Sequence, residues 1–345
     1  MKSLRIVVRH HGGPEVLETI EEEAPEPGRG EVRVRVLFAG VSFAEMLMRE
    51  GLHPEKTPLP FTPGWDIVGV VEKVGEDASR AWIGQMVAAL PIHGGYAQHI
   101  CLSQTELTPV PDGLDPAEVV SLVLNYVTAY QMMHRVAHVS PGQRVLIHGA
   151  AGGVGTALLQ LGRLMGLEMY GTASLAAHQT VSDLGATPID YQNIDFVAEI
   201  HRLTGEGVDI VFDGVGEANV WRSFNALRPG GRVVVYGFTS FLKTGQLAGG
   251  LRYRFRGLLR PAWHALRAFL SPGRRRVLPY SIQVLKRWKP DWFREDLSAL
   301  LDLLREEKIK PLIAERIPLS EAHGAHELLG QGSVKGKLVL ICDSS

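Results

Sequence analysis

Cysteine is almost missing from this chain of 345 residues. Only Cys101 and Cys342 occur, far apart and without a metal-ligand spacing, a usage that suits a reducing, cytoplasmic compartment better than a disulfide-stapled secreted fold. Long apolar runs are missing as well. No stretch approaches the roughly twenty uninterrupted apolar residues of a membrane span, and the basic N-terminus (Lys2, Arg5, Arg9) carries no run suited to a signal peptide. Net charge is nearly absent, at −1, so nothing draws the whole chain toward nucleic acid or a membrane. No fixed-period repeat is found. The length exceeds what one hydrophobic core usually supports, so two domains are expected.

One local absence stands apart, because residues 243–290 contain no Asp or Glu while Arg252, Arg254, Arg256, Arg260, Arg287 and Lys289 are among their many basic residues. Tyr253, Trp263 and Trp288 are interleaved with them. Three readings stay open: contact with an anionic membrane surface, tracking of single-stranded RNA, or a solvated insertion whose cations pair with acidic groups elsewhere. The third is favoured, and nucleic acid is the least favoured.

What is present reads as β-rich over the first hundred residues. Residues 32–36 alternate with period two, and residues 66–74, 85–90 and 94–102 are short Val- and Ile-containing runs between Gly and Pro, as in a compact barrel-like sheet. At Asp115 the pattern changes: Asp as cap, Pro116 in first position and Glu118 behind it start a helix expected to reach about Val136, with a break near Asn125. Beyond Gly142, strand runs at residues 144–148, 167–172, 208–213 and 232–237 alternate with helical segments, the rhythm of a doubly wound parallel sheet. Residues 337–342 form a closing strand.

The strongest passage is residues 145–155, a buried apolar run entering the Gly-rich turn Gly149-Ala150-Ala151-Gly152-Gly153-Val154-Gly155. Val154, Ala157, Leu158, Leu161, Leu164 and Met165 then recur at helical spacing on one face. Small residues here let the backbone of Ala151, Gly152, Gly153 and Val154 approach a diphosphate at a helix N-terminus, so a dinucleotide site is expected. Where sites preferring NAD place a carboxylate on the ribose, this chain has Gly171-Thr172-Ala173-Ser174. Ser174 and His178 can donate to a 2′-phosphate with Tyr191 packing nearby, which points to NADPH. The alternative is that they are ordinary loop residues.

With these passages in view, the sequence resembles the zinc-free quinone oxidoreductase branch of the medium-chain dehydrogenase/reductases, most closely its vesicle amine transport protein-like members. The resemblance is carried in order by residues 39–45, Pro63-Gly64-Trp65-Asp66-Ile67-Val68-Gly69, residues 124–130, the turn at 149–155, residues 171–174 and 188–191, and the closing strand. It implies an α/β protein in which a GroES-like, β-barrel-type catalytic domain accompanies a Rossmann doubly wound parallel sheet. The expected domains are 1–124, then 125–265 with the basic insertion at about 243–290, and 291–345 returning to the catalytic domain, with the active site in the cleft between them. By the same resemblance Thr128 contacts the nicotinamide, Gly237 and Phe238 face its ribose, and a homodimer is expected. Relatives that use zinc have Cys at the place of Ser42, His at that of Trp65, and often a four-Cys lobe, so no metal is expected here. Ala177 stands where many NADPH-using relatives have Lys.

Hydride transfer without a metal favours acceptors that delocalise the developing charge, so the expected reaction is reduction of quinones or α,β-unsaturated carbonyls. Ser42 is the candidate to hold a water or the carbonyl oxygen. His53, which stands where reductase relatives commonly have Tyr, is either a proton donor or a solvent-facing loop histidine. Phe43, Leu47, Trp65 and Tyr96 are candidates for the apolar walls of the substrate pocket, with core packing the alternative for Phe43, Leu47 and Trp65. Against the enzyme stands an interaction protein that keeps the nucleotide fold and acts at a membrane, or on RNA, through its basic segment.

Overall fold

The apolar runs of the second half become strands because each is short, rich in Val and Ile, and bounded by Gly or a capping residue. A computed structural model describes residues 1–216, 218–237 and 274–343. It divides into two units, Met1–Thr128 with Ile282–Ser345, and Ala129–Ser281.

In the second unit six strands run parallel: β1 (Arg144–His148), β2 (Glu168–Ala173), β3 (Thr187–Asp190), β4 (Val208–Asp213), β5 (Leu227–Val235) and β6 (Arg276–Pro279). Their order across the sheet is 3-2-1-4-5-6, the doubly wound Rossmann arrangement, with reversal between β1 and β4. Leu146, Tyr170, Ile189, Ile200, Val211 and Phe224 fill the core on one face. Residues 238–273, most of the expected basic insertion, lie outside the described residues. Its remainder is not an appendage, since Arg276–Pro279 supplies the sixth strand through Arg232↔Arg276 to Val235↔Pro279.

The first unit holds a seven-stranded mixed sheet. Glu31–Val41 lies at its centre, paired antiparallel with Ile67–Val74, His99–Ser103 and Lys337–Ile341. Lys337–Ile341 in turn pairs parallel with Ile313–Pro318. The alternation of residues 32–36 is borne out, with Val32, Val34 and Val36 fully buried. The strand expected at 94–102 is shorter, because Gly94 and Tyr96 give their amides to the carbonyls of Thr62 and Pro63 at 2.8 and 2.9 Å and leave only His99–Ser103 for the ladder.

Asp115 caps its helix as expected, accepting from the Ala117 amide at 3.0 Å. No break follows at Asn125. The helix instead widens into π turns at Leu122–Tyr126 and Met132–Val136, which absorb an extra residue without ending the hydrogen-bond ladder.

Ile200 is fully buried against the parallel sheet. Ile200→Ala is expected to cost about 2–5 kcal/mol, read as a lower urea midpoint at unchanged slope; a midpoint unmoved from wild type would show that this cluster does not carry the second unit.

Candidate functional site: a dinucleotide crest and a buried charge cluster

Strands β1, β2 and β4 end together at one edge of the parallel sheet. From β1 the chain turns at Gly149, whose φ of +64° disfavours any side chain, and enters the helix Gly153–Leu164. A Cβ on Gly155 would lie 2.2 Å from the Gly149 carbonyl oxygen, so only glycine lets the helix start this close to the strand. Gly152 is the N-cap and no side chain caps the helix, which leaves first-turn amides with no intrahelical partner. Ala151 is buried, while Gly152, Gly153 and Val154 are half-buried. This backbone fits an anionic diphosphate by shape and by dipole.

Thr172 ends β2 next to this turn, yet it is 3% exposed and its hydroxyl lies 3.0 Å from His148 Nδ1. It belongs to the crest by its backbone, whose carbonyl accepts from the Ala150 amide at 3.0 Å. Beyond it Ser174 is half-buried and caps nothing with its side chain. His178 opens the next helix with a buried Nε2 that has no partner among the described residues. Pairing of Ala173 with Asp190 brings the end of β3, and the exposed Tyr191 after it, to the same edge. Ser174, His178 and Tyr191 are thus neighbours in the fold, with Ala177 buried between the first two. Asp190 is the nearby carboxylate, and it is occupied: Asn193 Nδ2 and the Gln192 amide donate to it and hold its pKa below the usual range. Gly237 follows β5, where a Cβ would stand 2.5 Å from the Gly214 carbonyl oxygen. Phe238 lies outside the described residues.

The remaining candidates lie in the first unit. Thr128 is buried in the helix Val127–Gln131. Ser42 caps the helix Phe43–Arg49 in a full capping box: its hydroxyl accepts from the Ala44 amide and donates to Glu45 Oε2, which also accepts from the Ser42 amide at 2.8 Å. Sequence reading missed Glu45, although Ser42-Phe43-Ala44-Glu45 is a legible capping-box signature. Its other oxygen accepts from the Trp65 amide at 2.9 Å. Glu45, Asp66 and Lys337 are all buried, and Lys337 Nζ donates to Asp66 Oδ2 at 2.8 Å. Burial, reinforced by the Asp66 charge, pushes Glu45 up to about 7. Burial also raises Asp66, against the pull of Lys337.

Around this cluster the four proposed pocket residues separate. Phe43 is half-buried, whereas Leu47 and Trp65 are core residues. The Trp65 indole N–H donates to Met48 Sδ, and its ring meets His53 edge-on at 5.7 Å. Tyr96 is fully buried with its hydroxyl 3.1 Å from His326 Nε2, while Arg49 donates to His326 Nδ1 at 2.9 Å. Since arginine only donates, the His326 proton resides on Nε2. Burial, with Arg49 alongside, pushes this histidine down to about 3. His53 is half-buried in its loop, with Nδ1 engaged by the backbone of Glu55.

The described part of the basic segment is tied to acidic groups. Lys286 reaches Glu106 and the Leu90 carbonyl, and Arg287 reaches Glu55. Trp288 is 77% exposed. Among the described residues no helix is long and apolar enough to cross a membrane.

Residues 28–112 match the alcohol dehydrogenase GroES-like domain, and residues 184–340 match the zinc-binding dehydrogenase family. The chain is 30% identical to the quinone oxidoreductase of Homo sapiens, with 99% of this chain and 98% of that one covered. It is 32% identical to the synaptic vesicle membrane protein VAT-1 homolog of Homo sapiens, with 92% and 80% covered. The chain belongs to the medium-chain dehydrogenase/reductases. Within that superfamily it is a quinone oxidoreductase-like, VAT-1-like oxidoreductase, a GroES-like domain joined to a Rossmann sheet. The structure of the Escherichia coli quinone oxidoreductase complexed with NADPH is similar over 98% of this chain and 99% of that one, with a TM-score of 0.85 at 27% identity.

The zinc that one family description names is not matched by this member's donors. The Ser42 oxygen is a hydroxyl that already accepts from the Ala44 amide, Trp65 offers a donor N–H instead of a lone pair, and no cluster of three metal-binding side chains occurs among the described residues.

Glu45 has its folded pKa raised above the ordinary glutamate value of 4.5, so its contribution to stability is full below about pH 4.5 and is lost as pH rises through 7. Relative to Glu45→Gln, which cannot titrate, wild type is expected to lose up to about 1.4 kcal/mol per pH unit across that window. Parallel stability curves from chemical denaturation at pH 5, 6, 7 and 8 would refute it.

Proposed function

We propose that this oxidoreductase uses NADPH, without zinc, to reduce quinones or α,β-unsaturated carbonyls. The observation that carries the reading is the uncapped, glycine-packed helix start at Gly152, beside a strand end at Ala173 with no carboxylate between Gly171 and His178. The NADPH named for the Escherichia coli relative supports the same reading. Bound there, NADPH supplies a hydride.

The amides of Gly153 and Val154 hold the diphosphate. Ser174 and His178 bind the 2′-phosphate, whose oxygens would accept from the unpartnered, buried His178 Nε2 in the tautomer that carries its hydrogen there. Tyr191 gives an apolar flank. With Ala177 in place of a lysine, this task falls on His178.

In a quinone or enone the charge left by hydride addition spreads onto an oxygen, which protein donors can hold. Ser42 is the donor in this reading. Its hydroxyl has one hydrogen, and an ionised Glu45 draws it inward; a protonated Glu45 donates to Ser42 instead and releases that hydrogen toward the acceptor oxygen. His53, with Nδ1 engaged by Glu55, keeps Nε2 to move a proton.

NADPH oxidation is expected only with an added quinone or enone, unchanged by chelators, and Ser42→Ala is expected to lower kcat about tenfold or more. Stoichiometric NADPH binding without turnover on a broad acceptor panel, or activity lost to a chelator and restored by zinc, would overturn the reading. The cofactor assignment has its own measurement. Titrations should give a lower Kd for NADPH than for NADH, with the ratio narrowed by His178→Ala; equal affinities in wild type would remove the 2′-phosphate site.

A further inference from the structure

Behind the dinucleotide crest lies a chain of hydrogen bonds whose direction is fixed by chemistry. Asp213 ends β4 and is fully buried. It accepts at Oδ1 from the amides of Val215 and Gly216, at 2.9 and 3.0 Å, and at Oδ2 from Asn219 Nδ2 at 3.1 Å and Ser223 Oγ at 2.7 Å. Ser223, also fully buried, thereby spends its only hydrogen. Its bond to His148 Nε2, at 3.0 Å, must be donated by the imidazole. Burial keeps His148 below its ordinary pKa, hence neutral with a bare Nδ1, which accepts from Thr172 Oγ at 3.0 Å. Thr172 Oγ then has only acceptor capacity left for the Gly149 amide, 3.4 Å away.

We propose that Asp213 is a positioning residue for the cofactor: one carboxylate orders both the loop Gly214–Gly216 directly and, through Ser223, His148 and Thr172, the Gly149 turn. The two segments it ties stand at the ends of neighbouring strands β4 and β1. The first also lies against Gly237, whose absent Cβ the Gly214 carbonyl would contact. Backbone on both sides of the crest is thus held in place before any ligand arrives, which lowers the ordering cost of binding. The Thr172 hydroxyl, committed inward, has no hydrogen for a cofactor. All four side chains are at least nine-tenths buried, and no water need enter the chain of bonds.

This inference rests on the NADPH reading above, and its test separates the two. In the wild-type protein without ligand, nitrogen NMR of His148 should show the neutral ring protonated on Nε2; protonation on Nδ1 would overturn the relay with no variant made. Ser223→Ala cuts the relay while leaving the other bonds of Asp213. It is expected to raise the Kd for NADPH about tenfold and to mix the His148 tautomers, with kcat at saturating NADPH little changed. Ser223→Thr, which keeps the hydroxyl, should recover most of the affinity and the single tautomer. An unaltered NADPH affinity in a folded Ser223→Ala protein sinks the positioning role alone. Failure of wild type to bind NADPH, with the tautomer as stated, sinks the cofactor reading and the positioning role with it.

Discussion

Much of the second unit follows from one close approach, the Gly155 backbone against the carbonyl of Gly149. A methyl group at that point would push helix and strand apart, and the first-turn amides would no longer stand at the crest of the sheet. The approach also explains the residues around it. Ala150 and Gly171 are small because the turn packs onto the neighbouring strand, where a Cβ on Gly171 would come within 2.6 Å of Ala150 Cβ. The polar side chains below, His148 and Thr172, cannot reach water and therefore satisfy one another.

The first unit is governed by a different constraint, charge without solvent. Two carboxylates and one ammonium are enclosed together, and Asp66 Oδ1 has no hydrogen-bond partner among the described residues. Such an arrangement contributes little net stability compared with apolar packing, but it penalises any rearrangement that separates the charges. Gly40 is part of the same constraint, since a Cβ there would meet both oxygens of Asp66 within 2.5 Å. The helix that begins at Ser42 is held to this cluster by Glu45, so the orientation of a half-buried hydroxyl is linked to the ionisation of a buried acid.

The parallel sheet and its glycine turn were legible because both depend on local pattern. An apolar run, a glycine at a positive φ and an amphipathic helix each leave their mark within a few residues. The period-two alternation at residues 32–36 was legible for the same reason. What the sequence hid depends on distant partners. The hydroxyl of Tyr96 meets His326, itself bonded to Arg49, from a distant part of the chain, and Lys337 reads as an ordinary strand residue until Asp66, far away in sequence, is found beside it. The sixth strand was obscured because Arg276 and its neighbours lie within a basic stretch whose composition, taken by itself, signals surface. The capping box at Ser42 was readable, but attention to the hydroxyl as a reactive group drew notice away from the acid three residues on.

The ion pair between Lys337 and Asp66 has a consequence for the order in which the protein is made. Residues of the second unit form one uninterrupted stretch, whereas the first unit is split and takes its second part from the far end of the chain. On the ribosome, Asp66 and Glu45 therefore emerge long before the ammonium that balances them. Until that late strand arrives, the early sheet must either keep these acids hydrated or hold them protonated. The second unit has no such wait, and its synthesis is complete while its companion still lacks the strand Lys337–Ile341.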